Sequence, residues 1–169
     1  LFWMSIECDY ENPWYFEGTP FLSEDIDDNF GFVYLITNLT NNRQYIGRKY
    51  FWQFRTPKGK KRKVKSESDW KKYYGSCPEL KEDIELFGRQ NFSRRILSLH
   101  KTSGKTNYEE TRQLFTNGVL TESLDNGEPK FYNSNILSRY FRKDYYDWTR
   151  TGGPGESMGD STGSGDEHR

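Results

Sequence analysis

The side chains best suited to chemistry in this sequence are two tyrosines and a run of cations that follows them closely. Tyr34 and Tyr45 carry phenol groups, which both donate and accept hydrogen bonds. Six cations fall within eight residues, namely Lys58, Lys60, Lys61, Arg62, Lys63 and Lys65. A charge run is usually only a solvated surface, but its position close to the two phenols favours contact with phosphate groups.

A β-hairpin would bring the two tyrosines together. Segment 31–38 is rich in β-branched and aromatic residues. Segment 43–49 follows it, and the asparagines between the two segments favour a tight turn. A two-residue loop and a four-residue loop give the same register, with Tyr34 opposite Gly47. Tyr34 and Tyr45 then share one face as diagonal neighbours, beside the slot where Gly47 has no side chain. The alternative is that both tyrosines simply pack, as strand tyrosines often do.

Composition excludes several classes of protein. The chain has 169 residues, which fits one domain, and its 12 Phe, 12 Tyr and 5 Trp must supply much of the core. No apolar run is long enough for a membrane span, and no signal-peptide pattern is present. Two cysteines cannot by themselves form a disulfide framework or a zinc finger. We therefore expect a protein of a reducing compartment, with no membrane partner.

The formal net charge of zero hides a strong asymmetry along the chain. Residues 1–30 hold eight acids and no Lys or Arg, whereas residues 31–149 carry a net charge of +10. We expect an acidic, aromatic N-terminal arm over 1–29, a domain over 30–148, and a disordered Gly/Ser/Asp-rich tail over 149–169. A basic body favours a polyanionic partner, most often nucleic acid. One hypothesis is that the acidic arm competes with DNA, so that deleting it would tighten binding.

The rest of the body predicts helices around one further strand. Pro78 starts a helix whose buried stripe would be Leu80, Ile84 and Phe87, and Gly88 ends it. Residues 92–99 (FSRRILSL) predict a third strand.

A second helix is predicted to begin at Thr106, with Glu109 in the capping-box position. Its apolar side would be Tyr108, Leu114 and Phe115, and a short basic-aromatic helix near 137–146 would close the domain. This order of elements predicts an α+β fold, with a small, mainly antiparallel three-stranded sheet flanked by helices.

At this point the residues resemble a known family, the GIY-YIG nucleases. Phe32-Val33-Tyr34 and Tyr45-Ile46-Gly47 are separated by ten residues, as in the signature of that family. The resemblance continues through Arg55, Glu110 and Tyr132-Asn133, and it covers about residues 31–136. Within that range, the chain also resembles the free-standing homing endonucleases of tailed phages in the segments Tyr73-Tyr74-Gly75-Ser76, Leu80-Lys81 and Asn91-Phe92.

The resemblance implies a DNA endonuclease that hydrolyses phosphodiester bonds with one divalent cation, Mg²⁺ or Mn²⁺. It implies that Glu110 holds the cation and that Arg55 clamps the scissile phosphate. Tyr34 would contact or deprotonate the attacking water, Tyr45 would orient the water or the phosphate, and Asn133 would brace the site. The expected substrate is double-stranded DNA, the expected setting is the cytoplasm of a phage-infected bacterium, and a monomer is favoured.

Two consequences concern the cations near the hairpin. The ordinary pKa of tyrosine is about 10, so Tyr34 could act as a base only if a nearby cation lowered its pKa. Arg48, Lys49 and the run 58–65 are candidates for that effect. The same cations, together with Gly47, are expected to contact DNA.

Some features depart from the family or leave alternatives open. Phe32 stands where the first Gly of the signature is expected, and the histidine that some members use after the Arg has no counterpart. Glu109 is an alternative to Glu110 as the metal ligand.

Two other interpretations compete with this assignment. Asp69 with Glu79 and Lys81 weakly matches the D…ExK pattern of another class of metal nuclease. A non-catalytic DNA-binding module with a degenerate site is the other alternative.

Overall fold

The structure is a computed structural model, and it describes residues 7–145. Within this range the chain forms nine strands and three α-helices. The strands are β1 (Tyr15–Phe16), β2 (Thr19–Pro20), β3 (Gly31–Asn38), β4 (Gln44–Tyr50), β5 (Trp52–Arg55), β6 (Val64–Glu67), β7 (Phe92–His100), β8 (Asn135–Ile136) and β9 (Tyr140–Phe141). The helices are α1 (Pro78–Phe87), α2 (Ser103–Thr116) and α3 (Arg142–Tyr145). Single 3-10 turns occur at Ser23–Asp25, Trp70–Lys72 and Arg89–Asn91.

The predicted hairpin of β3 and β4 is the centre of the fold. Its register is the predicted one, with Tyr34 opposite Gly47 and Ile36 opposite Tyr45. The loop has four residues, 39–42, and the backbone N–H of Asn38 donates to the carbonyl of Arg43 at 2.8 Å. A local turn and a two-residue side-chain period were therefore enough to define this register.

The main sheet has the strand order β2-β1-β7-β3-β4. The antiparallel core β4-β3-β7 contains the three predicted strands, and the fold is α+β as expected. The sheet nevertheless has five strands, because the N-terminal segment adds β1, which runs parallel to β7, and β2. Since β4 is at the edge of the sheet, the backbone polar groups of its outer side need partners other than a neighbouring strand.

The two faces of the sheet pack against different layers. Tyr34 lies on the face that packs against a large aromatic cluster, which includes Trp14, Phe51 and Trp70. The opposite face packs beneath α2 through a second cluster, which includes Val33, Ile46, Leu114, Val119 and Phe131. The alternation of side chains along β3 therefore divides the core into two halves.

Residues 7–29, the described part of the arm that we expected over residues 1–29, pack into the core of the domain. Trp14 is fully buried, and its indole N–H donates to the carbonyl of Trp70 at 2.8 Å. Phe21 and Ile26 are also buried in the same cluster. Deleting residues 1–29 would therefore remove core side chains, so it cannot serve as a test of competition with DNA. The tail predicted over residues 149–169 lies outside the described residues.

The helices begin and pack somewhat differently from their predictions. Thr102, not Thr106, caps α2, because its side chain accepts a hydrogen bond from the backbone N–H of Lys105. Thr106 is instead buried one turn inside the helix. Leu114 is buried as expected, but the two aromatic residues predicted beside it, Tyr108 and Phe115, are exposed. Along α1, Leu80 and Ile84 are buried, whereas Phe87 lies at the exposed margin of the helix.

The C-terminal part of the described chain forms a small hairpin where a helix over 137–146 was predicted. Leu137 and Ser138 both have positive φ, 57° and 50°, which a helix cannot contain. Strands β8 and β9 flank this turn, and only the four residues of α3 are helical. No helix within the part of the chain that the structure describes is both long and apolar enough to cross a membrane.

Candidate active-site cleft

A cleft of about 270 Å³ runs along the outer edge of β4. Three parts of the chain enclose it: the start of α1, the middle of α2 and the segment before β8. Its lining residues are Tyr45, Ile46, Ser76, Cys77, Pro78, Glu110, Leu114, Asn133, Ser134, Asn135 and Leu137. Three of the five residues proposed as catalytic, Tyr45, Glu110 and Asn133, therefore meet in one cleft.

Asn133 completes the edge of the sheet. Its side-chain oxygen accepts from the backbone N–H of Ile46 at 3.1 Å, and its side-chain amide donates to the carbonyl of Ile46 at 2.8 Å. The asparagine side chain thus takes the place of a neighbouring strand at one residue of β4. This pairing fixes the edge strand next to Tyr45, as the bracing role would require.

Glu110 projects from α2 into the cleft, about half-buried. Burial raises the pKa of its carboxyl group, and the nearby charge of Arg48 opposes that effect. The guanidinium Nε of Arg48 lies 3.1 Å from the carboxylate of Glu110. Arg48, which we expected to contact DNA and named as a candidate for lowering the pKa of Tyr34, is therefore the cation that faces the acid of the cleft.

Glu109 is committed elsewhere on the same helix. Its carboxylate accepts from Arg112 at 2.8 and 2.6 Å and from Gln113 at 3.0 Å. The hydrogen bond from Arg112 is the main reason that its pKa is lowered to about 2. It has no capping role, and it is not among the residues that line the cleft. The geometry favours Glu110 over Glu109 as the acid of the site.

Tyr34 is buried behind the cleft. Its ring fills the slot that was predicted beside Gly47. A Cβ at Gly47 would lie 2.6 Å from Cζ of Tyr34 and 3.0 Å from Cε1 of Tyr45. Tyr34 is only 1% exposed, and burial raises its pKa well above the ordinary value. We expected a nearby cation to lower this pKa. Instead burial raises it most, because a buried phenolate has lost its hydration, and Tyr45, Tyr73 and Glu110 raise it further. At neutral pH Tyr34 is a neutral phenol.

Tyr45 is closer to the surface and lines the cleft directly. Burial raises its pKa to about 12, and a hydrogen bond with Ser76 partly opposes that effect. The rings of Tyr34 and Tyr45 lie 6.2 Å apart between centroids, as their shared face predicts. Both phenols can therefore donate or accept hydrogen bonds at neutral pH, but neither is ionised.

Tyr73 joins this group, although its position in the sequence predicted no role for it in the site. It is hydrogen-bonded to Tyr34, and their rings meet edge to face at 6.0 Å. The ammonium of Lys49 lies 4.1 Å from the centre of the Tyr73 ring and 2.6 Å from a carboxylate oxygen of Asp69. The only sequence signal for this contact was the position of Tyr73 in the segment that resembles phage enzymes.

Arg55 and the cationic run lie on a separate hairpin, formed by β5 and β6. Arg55 is exposed and is not among the cleft-lining residues. Its charge contributes, after that of Lys49, to lowering the pKa of Asp69. The predicted loop over 58–65 contains the exposed tip of this hairpin, and Lys65 lies on β6. The structure therefore brings neither Arg55 nor the run into the cleft.

The donors in the cleft fit a hydrated cation held by one carboxylate. Within residues 7–145, no three or more Asp, Glu, His or Cys side chains are grouped to hold a metal. The side-chain oxygen and amide of Asn133 are both hydrogen-bonded to the backbone of Ile46. Glu110 supplies the carboxylate among the residues that line the cleft. Mg²⁺ commonly binds through one or two carboxylates and keeps several waters. A hard cation such as Mg²⁺ or Mn²⁺ could bind here, provided that Arg48 shares the carboxylate.

In the D…ExK alternative, each of the two acids is paired with a basic residue. Glu79 is paired with Arg43 at 2.7 Å and lies 3.6 Å from Arg142. Asp69 is paired with Lys49.

Gly47→Ala should damage the arrangement of the two phenols. The new methyl group would overlap the Tyr34 ring, which cannot move away because it is packed against Trp14 and Tyr73. Overpacking of this kind costs about 1–3 kcal/mol of folding free energy, and displacement of a reacting group by about 1 Å can lower a rate about 10²-fold. Urea denaturation measures the first effect, and DNA cleavage assays measure the second.

The matched control for this substitution is Gly104→Ala. Gly104 lies in the first turn of α2, and nothing is within 4 Å of a Cβ at that position. Alanine has the higher helix propensity, so this variant should be as stable as the parent or slightly more stable. Equal stability and equal activity of the two variants would show that Tyr34 can move away from the cleft without consequence.

One family model matches this chain. Its description is "Putative endonuclease segE, GIY-YIG domain", and the match covers residues 14–136. It begins at Trp14, within the segment that the structure assigns to the core, and it ends at Ile136 beside the cleft. Nothing matches in the comparisons with curated proteins and with solved structures.

Proposed function

The chain belongs to the GIY-YIG family of the segE endonuclease domain, and we propose that it hydrolyses phosphodiester bonds in double-stranded DNA. The observation that carries this proposal is the cleft at the edge of β4. There the half-buried carboxylate of Glu110 on α2 lies near the phenol of Tyr45 and is paired with the guanidinium of Arg48, both on β4. These groups suit a phosphate substrate better than a neutral one, since the sheet edge beside them is basic.

We propose that Glu110 holds a single divalent cation and that Arg48 binds a phosphate oxygen next to it. When bound, such a cation supplies a Lewis acid that stabilises charge on the phosphoryl oxygens. Arg48 is preferred to Arg55 for phosphate binding because its guanidinium already lies beside Glu110. Asn133 holds the strand that carries Tyr45 in place.

The tyrosines would act through hydrogen bonds. Tyr45 lines the cleft and is positioned to orient a water or a phosphate oxygen. Tyr34 lies behind it as a neutral phenol, so at neutral pH it supports the site by hydrogen bonding and not as an ionised base. Tyr73, which is hydrogen-bonded to Tyr34 and meets its ring edge to face, would belong to the same hydrogen-bonded group.

The biological setting and the oligomeric state are proposed as well. A phage homing enzyme acting in the cytoplasm of an infected bacterium is proposed from the resemblance of the sequence to such enzymes. A monomeric protein is likewise proposed. The second candidate function, DNA binding without cleavage, is favoured by the exposed cations of the β5–β6 hairpin, which lie outside the cleft.

The test is cleavage of DNA by the full chain. Supercoiled plasmid incubated with the protein and Mg²⁺ or Mn²⁺ should be nicked or linearised, and EDTA should abolish the reaction because the cation would be removed from Glu110. Agarose gels of the conversion over time give the rate. Binding without any cleavage under either metal would reject the enzyme and leave the non-catalytic module.

A further inference from the structure

The β5–β6 hairpin is set apart from the rest of the domain. Its two strands pair only with each other in the described chain, from Trp52 opposite Glu67 to Arg55 opposite Val64. Residues 54–67 are all exposed, including the apolar side chains of Phe54 and Val64. The hairpin is therefore a two-stranded ribbon whose outer half has solvent on both faces.

The base of this ribbon is firmly attached to the core. Trp52 packs against the aromatic cluster beneath β3. The carboxylate of Glu67 accepts from the Ser23 hydroxyl at 2.7 Å and from the Trp70 indole at 2.8 Å. A ribbon held in this way projects its tip in a defined direction relative to the cleft, because β5 begins two residues after β4 ends.

The charge of the ribbon is not compensated. Residues 52–66 contain seven Lys and Arg and no Asp or Glu. None of these seven takes part in a salt bridge among the described residues, whereas Lys49, Lys71 and Lys101 are each paired with an aspartate. Seven unpaired cations on a thin projection repel one another, and a polyanion would relieve that repulsion.

The two faces of the ribbon differ in side-chain type. Gln53 and Arg55 share one face with Ser66, and the Gln53 amide donates to the Ser66 hydroxyl at 3.3 Å. Glutamine and arginine are side chains that recognise base edges through paired hydrogen bonds. The opposite face carries Trp52 at the base, with the ammonium of Lys65 at 4.3 Å from its ring centre.

We propose that this ribbon lies in the major groove of double-stranded DNA next to the cleft. The major groove, about 12 Å wide, admits a two-stranded β-ribbon. The cations of the tip would contact phosphates on both sides of the groove, and Gln53 and Arg55 would face the bases. This inference rests on the proposed DNA substrate, and it moves Arg55 from the cleaved phosphate to the DNA on either side of it.

The test compares two triple variants of the full chain that lose the same charge. The tip variant is Lys60→Gln, Lys61→Gln, Lys63→Gln, and the control is Arg89→Gln, Arg95→Gln, Lys105→Gln, three exposed cations outside the ribbon. The affinity for a 30-base-pair duplex is measured in EDTA over a series of salt concentrations. Each lost phosphate contact lowers the slope of log affinity against log salt by about 0.9, so the tip variant should lose about 2–3 and the control less than 1.

Two further measurements sharpen the outcome. Bulky substituents on pyrimidine C5, which lie in the major groove, should weaken binding at least tenfold, whereas a minor-groove ligand should compete poorly. Arg55→Ala should weaken binding in EDTA, like the tip variant. A cleavage defect in Arg55→Ala with unchanged binding would return Arg55 to the cleaved phosphate.

The outcomes separate this proposal from the nuclease itself. Equal salt slopes for the two triple variants would overturn the ribbon proposal even if the wild-type chain cleaves DNA. Binding that is abolished by the minor-groove ligand but unchanged by the C5 substituents would overturn it as well. A slope difference in a chain that never cleaves would support the ribbon and reject the nuclease.

Discussion

Replacing Glu110 by glutamine should lower the turnover of DNA by about 10³-fold at saturating Mg²⁺. This carboxylate is the acid that lines the cleft, and the amide would keep its shape but remove the charge that holds a cation. Loss of the charge stabilisation that a bound metal supplies is worth about 4 kcal/mol, or three orders of magnitude in rate. Single-turnover cleavage of a labelled duplex measures the effect, and binding in EDTA should change little.

Glu109→Gln is the matched control, since it is the neighbouring acid on the same helix. Its carboxylate is engaged by Arg112 and Gln113 away from the cleft. Removing this exposed ion pair should cost less than about 1 kcal/mol of folding free energy and leave the cleavage rate near that of the parent. A loss of activity in Glu109→Gln as large as that in Glu110→Gln would show that the wrong acid has been assigned.

Arg94→Met should destabilise the folded protein by about 3 kcal/mol. The Arg94 guanidinium is buried without a carboxylate, and burial lowers its pKa. It donates to the carbonyls of Asn12 at 2.5 Å and Tyr73 at 2.9 Å, and it lies 4.2 Å from the ring centre of Tyr74. Methionine would fill part of the volume but leave these carbonyls unpaired, at about 1–3 kcal/mol for each buried group.

Arg95→Met provides the comparison on the adjacent residue. Its side chain is exposed on β7, so its loss should change the free energy of unfolding by less than about 0.5 kcal/mol. Urea denaturation of both variants measures the difference. If the two variants were equally stable, Arg94 would not be holding the N-terminal segment and the 73–74 segment against the sheet.

Local patterns were sufficient for the central hairpin and for α1. The register of β3 and β4 follows from the turn and the alternation of side chains, which involve residues no more than 20 positions apart. Pro78 and Gly88 mark the two ends of α1, as predicted from their backbone preferences.

The start of α2 required information that the local sequence lacks. Thr102 and Thr106 are both reasonable caps, and the structure selects Thr102 because Thr106 is buried against Gly31 of β3. A Cβ at Gly31 would lie 2.8 Å from the Thr106 hydroxyl oxygen. A contact between residues 75 positions apart therefore decided where the helix begins.

The burial of the N-terminal segment also depends on contacts between distant residues. It has no helical or strand period, so its aromatic residues gave no structural signal. Trp14 is buried because it meets Phe32 and Tyr34, with ring centres 5.1 and 5.0 Å away. Such contacts depend on which distant surfaces are available, and these exist only once the sheet has formed.

In the candidate site, too, some features follow from the local sequence and others from tertiary packing. The sequence by itself determined the family resemblance, the α+β class, the pairing of Tyr34 with Gly47 and the concentration of cations, since each depends on residue types at short spacing. Only the tertiary structure decided that Arg48 faces Glu110, that Asn133 completes the edge of β4 and that Arg55 stands on a separate ribbon. Arg48 meets Glu110, and Ile46 meets Asn133, across more than 60 residues. Their distances follow from how the sheet, α2 and the C-terminal segment pack together, and no local spacing encodes that packing.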